Sequence, residues 1–248
     1  MKTLKNQTLL YDEDCPLCRV YTSGFIKAGM LDINGKKAYC QLSVKEQDFV
    51  DVKRASNEIA LVDNINKTVV YGIDSLLKVI GFSFPWMEKI GNLRPINFFL
   101  KKLYSFVSYN RKVIIPGKIN KNIQLQCVPD FSFKYRLLFI LFAATVSGCI
   151  FQLLSNTFST KETMGFQIGS LIFQSLLILK FSKEITVNYL GNFSVSFFCG
   201  SLLLLPIIIL KSLLVISEIV AQLYFITIFL VVILDIFRRI QIIKFNLS

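Results

Sequence analysis

From residue 137 onward the chain carries four apolar runs, and such runs leave few structures open to it. They are LLFILFAATVSGCIFQLL (137–154), MGFQIGSLIFQSLLIL (164–179), a run within ITVNYLGNFSVSFFCGSLLLLPIIIL (185–210) and SLLVISEIVAQLYFITIFLVVIL (212–234). A helix needs about 20 predominantly apolar residues, roughly 17–25, to span a bilayer. The first, third and fourth runs meet that length, and the second is marginal. The expectation is an all-α transmembrane region over 137–248 with helices at 137–154, 164–181, 189–210 and 213–237. The competing reading is a large soluble core of buried helices. Such helices keep a polar stripe, which the first and fourth runs almost lack.

Charge is distributed to match. Residues 1–136 hold 21 Lys and Arg against 12 Asp and Glu, whereas residues 137–248 hold 7 against 4. Basic residues in short connections set orientation. With the front half inside, Lys134, Arg136, Lys180, Lys183, Arg238, Arg239 and Lys244 fall on the inner side, against Lys161 and Lys211 outside. The opening MKTLKNQTLLYDEDC has an apolar run of about four residues, against roughly 7–15 in a secretory signal. Both observations predict a cell-membrane protein with its N-terminal domain and C-terminus in the cytoplasm.

Some polar and small residues in these runs have two readings. Glu218 is either an intramembrane carboxylate or a headgroup-level residue just before a helix starting near Ile219, and the second is favoured. Cys149 and Cys199 lie in different runs and read as small packing residues.

The chain has no histidine. That excludes a Ser-His-Asp triad, a Cys-His pair and histidine metal ligands. Cysteine, carboxylate, lysine and tyrosine chemistry remain. The stretch LLYDEDCPLCRVY (9–21) then stands out, with Cys15 and Cys18 two residues apart behind Asp12, Glu13 and Asp14. Thr8–Tyr11 reads as a strand. Leu17, Val20, Tyr21, Gly24 and Ala28 form one helix face, Pro16 suits its first turn and Gly29 its stop. Cys15 therefore sits at a helix N-terminus, where partial positive charge and free N–H groups favour thiolate. Cys18, one turn on, is placed to resolve a mixed disulfide.

Further strands are expected at 38–42, 58–63 and 68–71, the last two flanking the turn NINK. Asp74 reads as the cap of a helix closed by Gly81. RPINFFLKKLYSFVSYNRKV (94–113) reads as a helix with Ile96, Phe99, Leu100, Leu103, Phe106 and Val107 on one face. Either it rests on anionic lipid or it packs on its own domain with a solvated basic face. Residues 116–136 read as a linker. Strand, CxxC, helix, strand, hairpin, helix is a thioredoxin-like order, in which a CxxC reads as redox-active.

YDEDCPLC (11–18) resembles the opening motif of the DCC family of predicted thiol–disulfide oxidoreductases. The later stretch with Tyr104, Asn110 and Arg111 resembles that family's second signature, and VVYGIDSLLKVI its middle region. The resemblance covers roughly residues 7–115. It implies an α/β thioredoxin-like domain at 1–115 with Cys15 and Cys18 as the redox pair, and Tyr11, Pro16, Tyr104, Asn110 and Arg111 as signature residues. Glu13 departs from the family's glycine, and no proline precedes the 58–63 strand.

The leading reading is a membrane-tethered thiol–disulfide oxidoreductase acting on a protein or small-thiol disulfide. Asp12 or Asp14 would tune the thiols or shuttle a proton. The alternative is a non-catalytic membrane protein whose soluble domain is a partner-binding adaptor. A zinc site is a weaker third reading, because a closed site needs four ligands and the chain has neither a second CxxC nor a histidine. No cofactor, metal or nucleic-acid partner is implied; the lipid bilayer is.

Overall fold

The structure is a computed structural model, and it describes residues 2–117, 125–158, 183–214 and 217–247. The chain divides into two compact units, 1–132 and 133–248.

The first unit is built on a four-stranded mixed sheet of order β2-β1-β3-β4. β1 (Gln7–Tyr11) leads into α1 (Pro16–Lys27), and the chain returns as β2 (Lys36–Ala38), parallel to β1. After two short helices, α2 (Val44–Gln47) and α3 (Val52–Asn57), β3 (Ala60–Asp63) pairs antiparallel with β1, and β4 (Thr68–Tyr71) with β3. α4 (Gly72–Ser83), α5 (Pro85–Gly91) and α6 (Arg94–Ile114) follow.

Alternation along the strands divides the core in two. Leu10, Ala60 and Val62 pack with Tyr39, Val50 and Ala55 in one cluster. Leu9 and Leu61 pack with Val79 of α4 in the other, against Tyr21 and Phe25 of α1 and Tyr104 of α6. The Met30 N–H donates to the Phe25 carbonyl and the Gly29 N–H to that of Ile26, with Gly29 at φ +68. This left-handed Schellman close stops α1 at the expected place.

Local boundaries differ from the sequence reading where long-range contacts decide. β2 ends at Ala38 rather than Leu42, because Tyr39 turns inward and its hydroxyl donates to the Val52 carbonyl at 2.9 Å. α4 starts at Gly72, with φ +64, so Asp74 lies in its first turn rather than at its cap. Gly81 lies inside α4, where a Cβ would collide with the Glu88 side chain of α5. Residues 125–130, read as linker, lie on this unit. Leu125 and Cys127 pack on its core, and the Asp130 N–H donates to Asn57 Oδ1 at 2.6 Å.

The second unit contains α7 (Phe133–Phe158), α8 (Lys183–Leu213) and α9 (Glu218–Leu247). All three are long and apolar enough to cross a membrane. The expected helix at 164–181 lies outside the described residues. Phe142 meets Phe198 at 5.8 Å and Ser201 donates to Ser147 at 3.2 Å, so α7 and α8 run in the same direction. Ser196 donates to Asp235 and the Tyr224 hydroxyl to the Leu203 carbonyl, so α9 runs opposite to α8. α9 starts at 218 rather than 213 because Ser217 caps it, accepting from the Val220 N–H and, through its carbonyl, from that of Ala221. It continues past 237 because Arg238 and Arg239 both pair with Asp235. Cys149 and Cys199 are exposed on their helices rather than packed.

Candidate functional site

β1 delivers the chain to a tight corner before α1. The Asp14 N–H donates to Asp12 Oδ1 at 3.0 Å, and the Cys15 N–H donates to the Asp12 carbonyl at 3.2 Å. Cys15 is the N-cap of α1, in extended conformation, and its carbonyl accepts from Arg19. Pro16 fills the first helical position, where no N–H is needed. The corner places Cys15 and Cys18 together, 1% and 8% exposed.

Their environments drive the two thiols apart. Hydrogen bonding from the Cys18 thiol, the largest influence, lowers Cys15 from 9.0 to about 6. Burial opposes this, the Cys18 N–H adds to it, and Asp12 and Arg111 pull in opposite directions. Cys18 moves far the other way, because it donates to Cys15, is buried and faces the Cys15 charge. One thiol pushed down beside another pushed up makes the two sulfurs unequal in their readiness to ionise.

Across from the thiols lies one face of α6. Tyr104, Ser108 and Arg111 recur at four and three residues, so they share that face. The Tyr104 hydroxyl accepts from the Ile59 N–H at 2.8 Å and so pins the start of β3. Ser108 donates to the Asn57 carbonyl. Arg111, 7% exposed, pairs through Nε with Asp12 Oδ2 at 3.3 Å, and Lys112 reaches the same oxygen at 2.9 Å. The other guanidinium nitrogens donate to the Asn57 carbonyl at 3.0 Å and the Ser56 carbonyl at 2.6 Å. Arg111 therefore ties α6 to the corner after β1 and to the end of α3.

These groups line a pocket of about 70 Å³ shared by Cys15, Cys18, Tyr21, Tyr104, Arg111 and Cys127. Cys127 was not expected there. Arg111 Nη2 lies 3.4 Å from its sulfur, yet burial raises this thiol to about 12. Cys40 points elsewhere, donating to Glu13 Oε1 at 3.2 Å. Asn110 is buried and its side-chain amide donates to the Phe106 carbonyl; Tyr11 lines the pocket.

The two acids singled out by sequence part company. Asp12 is 3% exposed and occupied by two cations. Asp14 is half-buried, and burial raises its carboxyl, partly offset by Lys112. No family model matches the chain. No curated protein and no solved structure matches it either. The i, i+4, i+7 polar face of α6 was the sequence signal that could have found Ser108.

Proposed function

We propose that the chain is a membrane-tethered thiol–disulfide oxidoreductase with Cys15 as the attacking thiolate and Cys18 as the resolving thiol. The observation that carries this reading is the split of the two thiols at one helix N-terminus. Strand order β2-β1-β3-β4, with β1 parallel to β2 and antiparallel to β3, supports a thioredoxin-like domain. The resemblance to the DCC family points the same way.

The Cys15 thiolate attacks one sulfur of a protein or small-molecule disulfide. The substrate S–S bond breaks, a mixed disulfide forms on Cys15, and the other substrate sulfur leaves as thiolate. Cys15 then bears no charge and accepts no hydrogen bond from Cys18. The two largest electronic causes that held the Cys18 proton are gone, and it passes to the released substrate thiolate. The Cys18 thiolate attacks the Cys15 sulfur, closing the Cys15–Cys18 disulfide and releasing the second substrate thiolate. Two electrons move to the substrate, and the reverse sequence oxidises a dithiol. Asp14, half-buried with a raised carboxyl, is better placed than Asp12 to exchange protons with solvent.

The membrane placement draws support from the second unit. The starts of α7 and α8 and the end of α9 share one end of the helices. Lys134, Arg136, Arg238, Arg239 and Lys244 belong to that end, and Lys211 to the other. This bias favours that end, with the N-terminal domain, facing the cytoplasm.

Burial of both sulfurs favours a second reading, an adaptor that binds partners without exchange chemistry. One experiment separates the two. Full-length chain in detergent is offered a small aromatic disulfide at pH 9, and adducts are mapped by mass spectrometry. The oxidoreductase accumulates a mixed disulfide on Cys15 in the Cys18→Ala variant and none in Cys15→Ser. An adaptor leaves both sulfurs unmodified until the chain is unfolded.

A further inference from the structure

We propose that the outward side of α5 and the first half of α6 is a docking face for an anionic lipid surface. Trp86, Ile90, Leu93, Phe98, Phe99 and Leu103 are all exposed there, with Phe98 at 65%, Phe99 at 64% and Trp86 at 60%. A domain bathed only in water rarely gathers that much bare aromatic and aliphatic surface in about twenty residues. The face is also basic. Between residues 82 and 103 stand Lys89, Arg94, Lys101 and Lys102, against the single acid Glu88, whose side chain is turned in against Gly81. Lys101 reaches Asp74 at 2.9 Å, whereas Lys89, Arg94 and Lys102 are exposed.

The two characters are interleaved rather than segregated. Phe98 and Lys102 are one turn apart, with the ammonium 5.4 Å from the ring centroid, and Phe99 and Leu103 form the neighbouring i, i+4 pair. Rings flanked by cations suit an interface where acyl chains meet phosphate and carboxylate headgroups. A protein groove would ask for segregated apolar and polar zones, with acids among the partners. The bilayer is also the surface this chain carries with it, through three helices able to cross a membrane. Of the two readings of α6 left open by its sequence, packing on its own unit describes the helix from Tyr104 onward. Before Tyr104, Ile96, Asn97 and Leu100 are half-buried on one side, and Phe98, Phe99 and Leu103 stand exposed on the other. The inference does not depend on the redox chemistry of the cysteines.

The chain contains one tryptophan, Trp86, so the face carries its own probe. The full chain is placed in nanodiscs whose acyl chains are brominated near the headgroups, in phosphatidylcholine alone or mixed with phosphatidylserine. In the anionic discs bromolipid is expected to quench Trp86 emission by at least about twofold, while aqueous acrylamide has little access. High salt weakens the effect. Reversing the charges of Lys89→Glu, Arg94→Glu and Lys102→Glu together removes most bromolipid quenching and opens Trp86 to acrylamide. These three side chains are exposed, and circular dichroism checks that the variant keeps its fold. Three results overturn the proposal. Trp86 open to acrylamide and untouched by bromolipid means the face sits in water. Trp86 shielded from both quenchers means protein covers it, the chain's own or a second copy's. Equal quenching in neutral and anionic discs means the cations play no part.

Discussion

The hydrogen bond from Cys18 is the largest influence on Cys15, so removing it is the sharpest perturbation of the site. Cys18→Ala deletes the thiol donor and keeps the backbone N–H. With Cys15 at about 6, its thiolate fraction at pH 7 is about 90%; at the ordinary 9.0 it would be about 1%. The substitution moves Cys15 upward, because burial and Asp12, which raise it, then outrank the Cys18 N–H and Arg111, which lower it. The rate at pH 7 falls less than the thiolate fraction does, because a more basic thiolate is a better nucleophile. With a Brønsted slope of about 0.45, a full rise to 9.0 strengthens the thiolate by roughly twentyfold, leaving a net loss of only about fourfold at pH 7. The midpoint of the pH–rate curve is therefore the decisive readout. Iodoacetamide labelling of the full chain, resolved by peptide mass, should show Cys15 half-maximal near pH 6. Cys18→Ala should move the midpoint up by at least about one pH unit and raise the alkaline plateau. Cys18 itself should stay unlabelled in the native chain across this range. An unchanged midpoint would refute the hydrogen-bond account of the low Cys15 value.

Other consequences follow from the same contacts. Because Cys15 ionises more readily folded than its ordinary 9.0, the reduced chain gains stability as pH rises from about 6 to 9 and loses it as pH falls through that window. Thermal unfolding in detergent should show this dependence, and Cys15→Ser should lack it. Arg111→Met leaves the buried Asp12 carboxylate to Lys112 alone and takes the guanidinium from the Ser56 carbonyl, and should cost about 1–3 kcal/mol, with part recovered in the Asp12→Asn, Arg111→Met double variant. Tyr104→Phe leaves the Ile59 N–H without its acceptor and should cost about 1–3 kcal/mol by the same assay. In the second unit, a side chain at Gly200 would collide with Val232 of α9, so Gly200→Val should lower the melting temperature of the chain in detergent.

What could be read from the sequence was local. The CxxC at a helix mouth, the 60–71 hairpin and the apolar reach of α7, α8 and α9 are written in short-range periodicity and turn residues. The hairpin turn is explicit: Asp63 Oδ1 accepts from the Ile65 and Asn66 N–H groups. What escaped was set by partners far along the chain. Asp12 and Arg111 meet across 99 positions, and neither residue announces the other. Residues 125–130 show neither helical nor strand periodicity, so they read as linker. They are held by side-chain bonds to Asn57 and Arg111 instead. The early half of α6 was ambiguous for a related reason. Its apolar residues look like a core face whether the core is protein or lipid, and only their exposure separates the two.

The Asp12–Arg111 pair invites a catalytic reading that the balance of influences does not favour. Asp12 raises Cys15 and Arg111 lowers it, and both rank behind the two Cys18 hydrogen bonds and burial. Two opposite charges in contact present a small net field to the sulfur, so deleting both together should shift Cys15 less than deleting either alone. The guanidinium also holds the Ser56 and Asn57 carbonyls and the Cys127 backbone, none of which reacts. The pair is thus a positioning device, fastening α6, the end of α3 and the 125–130 segment around the thiols. The acidity of Cys15 resides in the first turn of α1. On this division of labour the Asp12→Asn, Arg111→Met variant keeps a Cys15 labelling midpoint near pH 6 while losing stability. A midpoint displaced as far as in Cys18→Ala would return the pair to the chemistry.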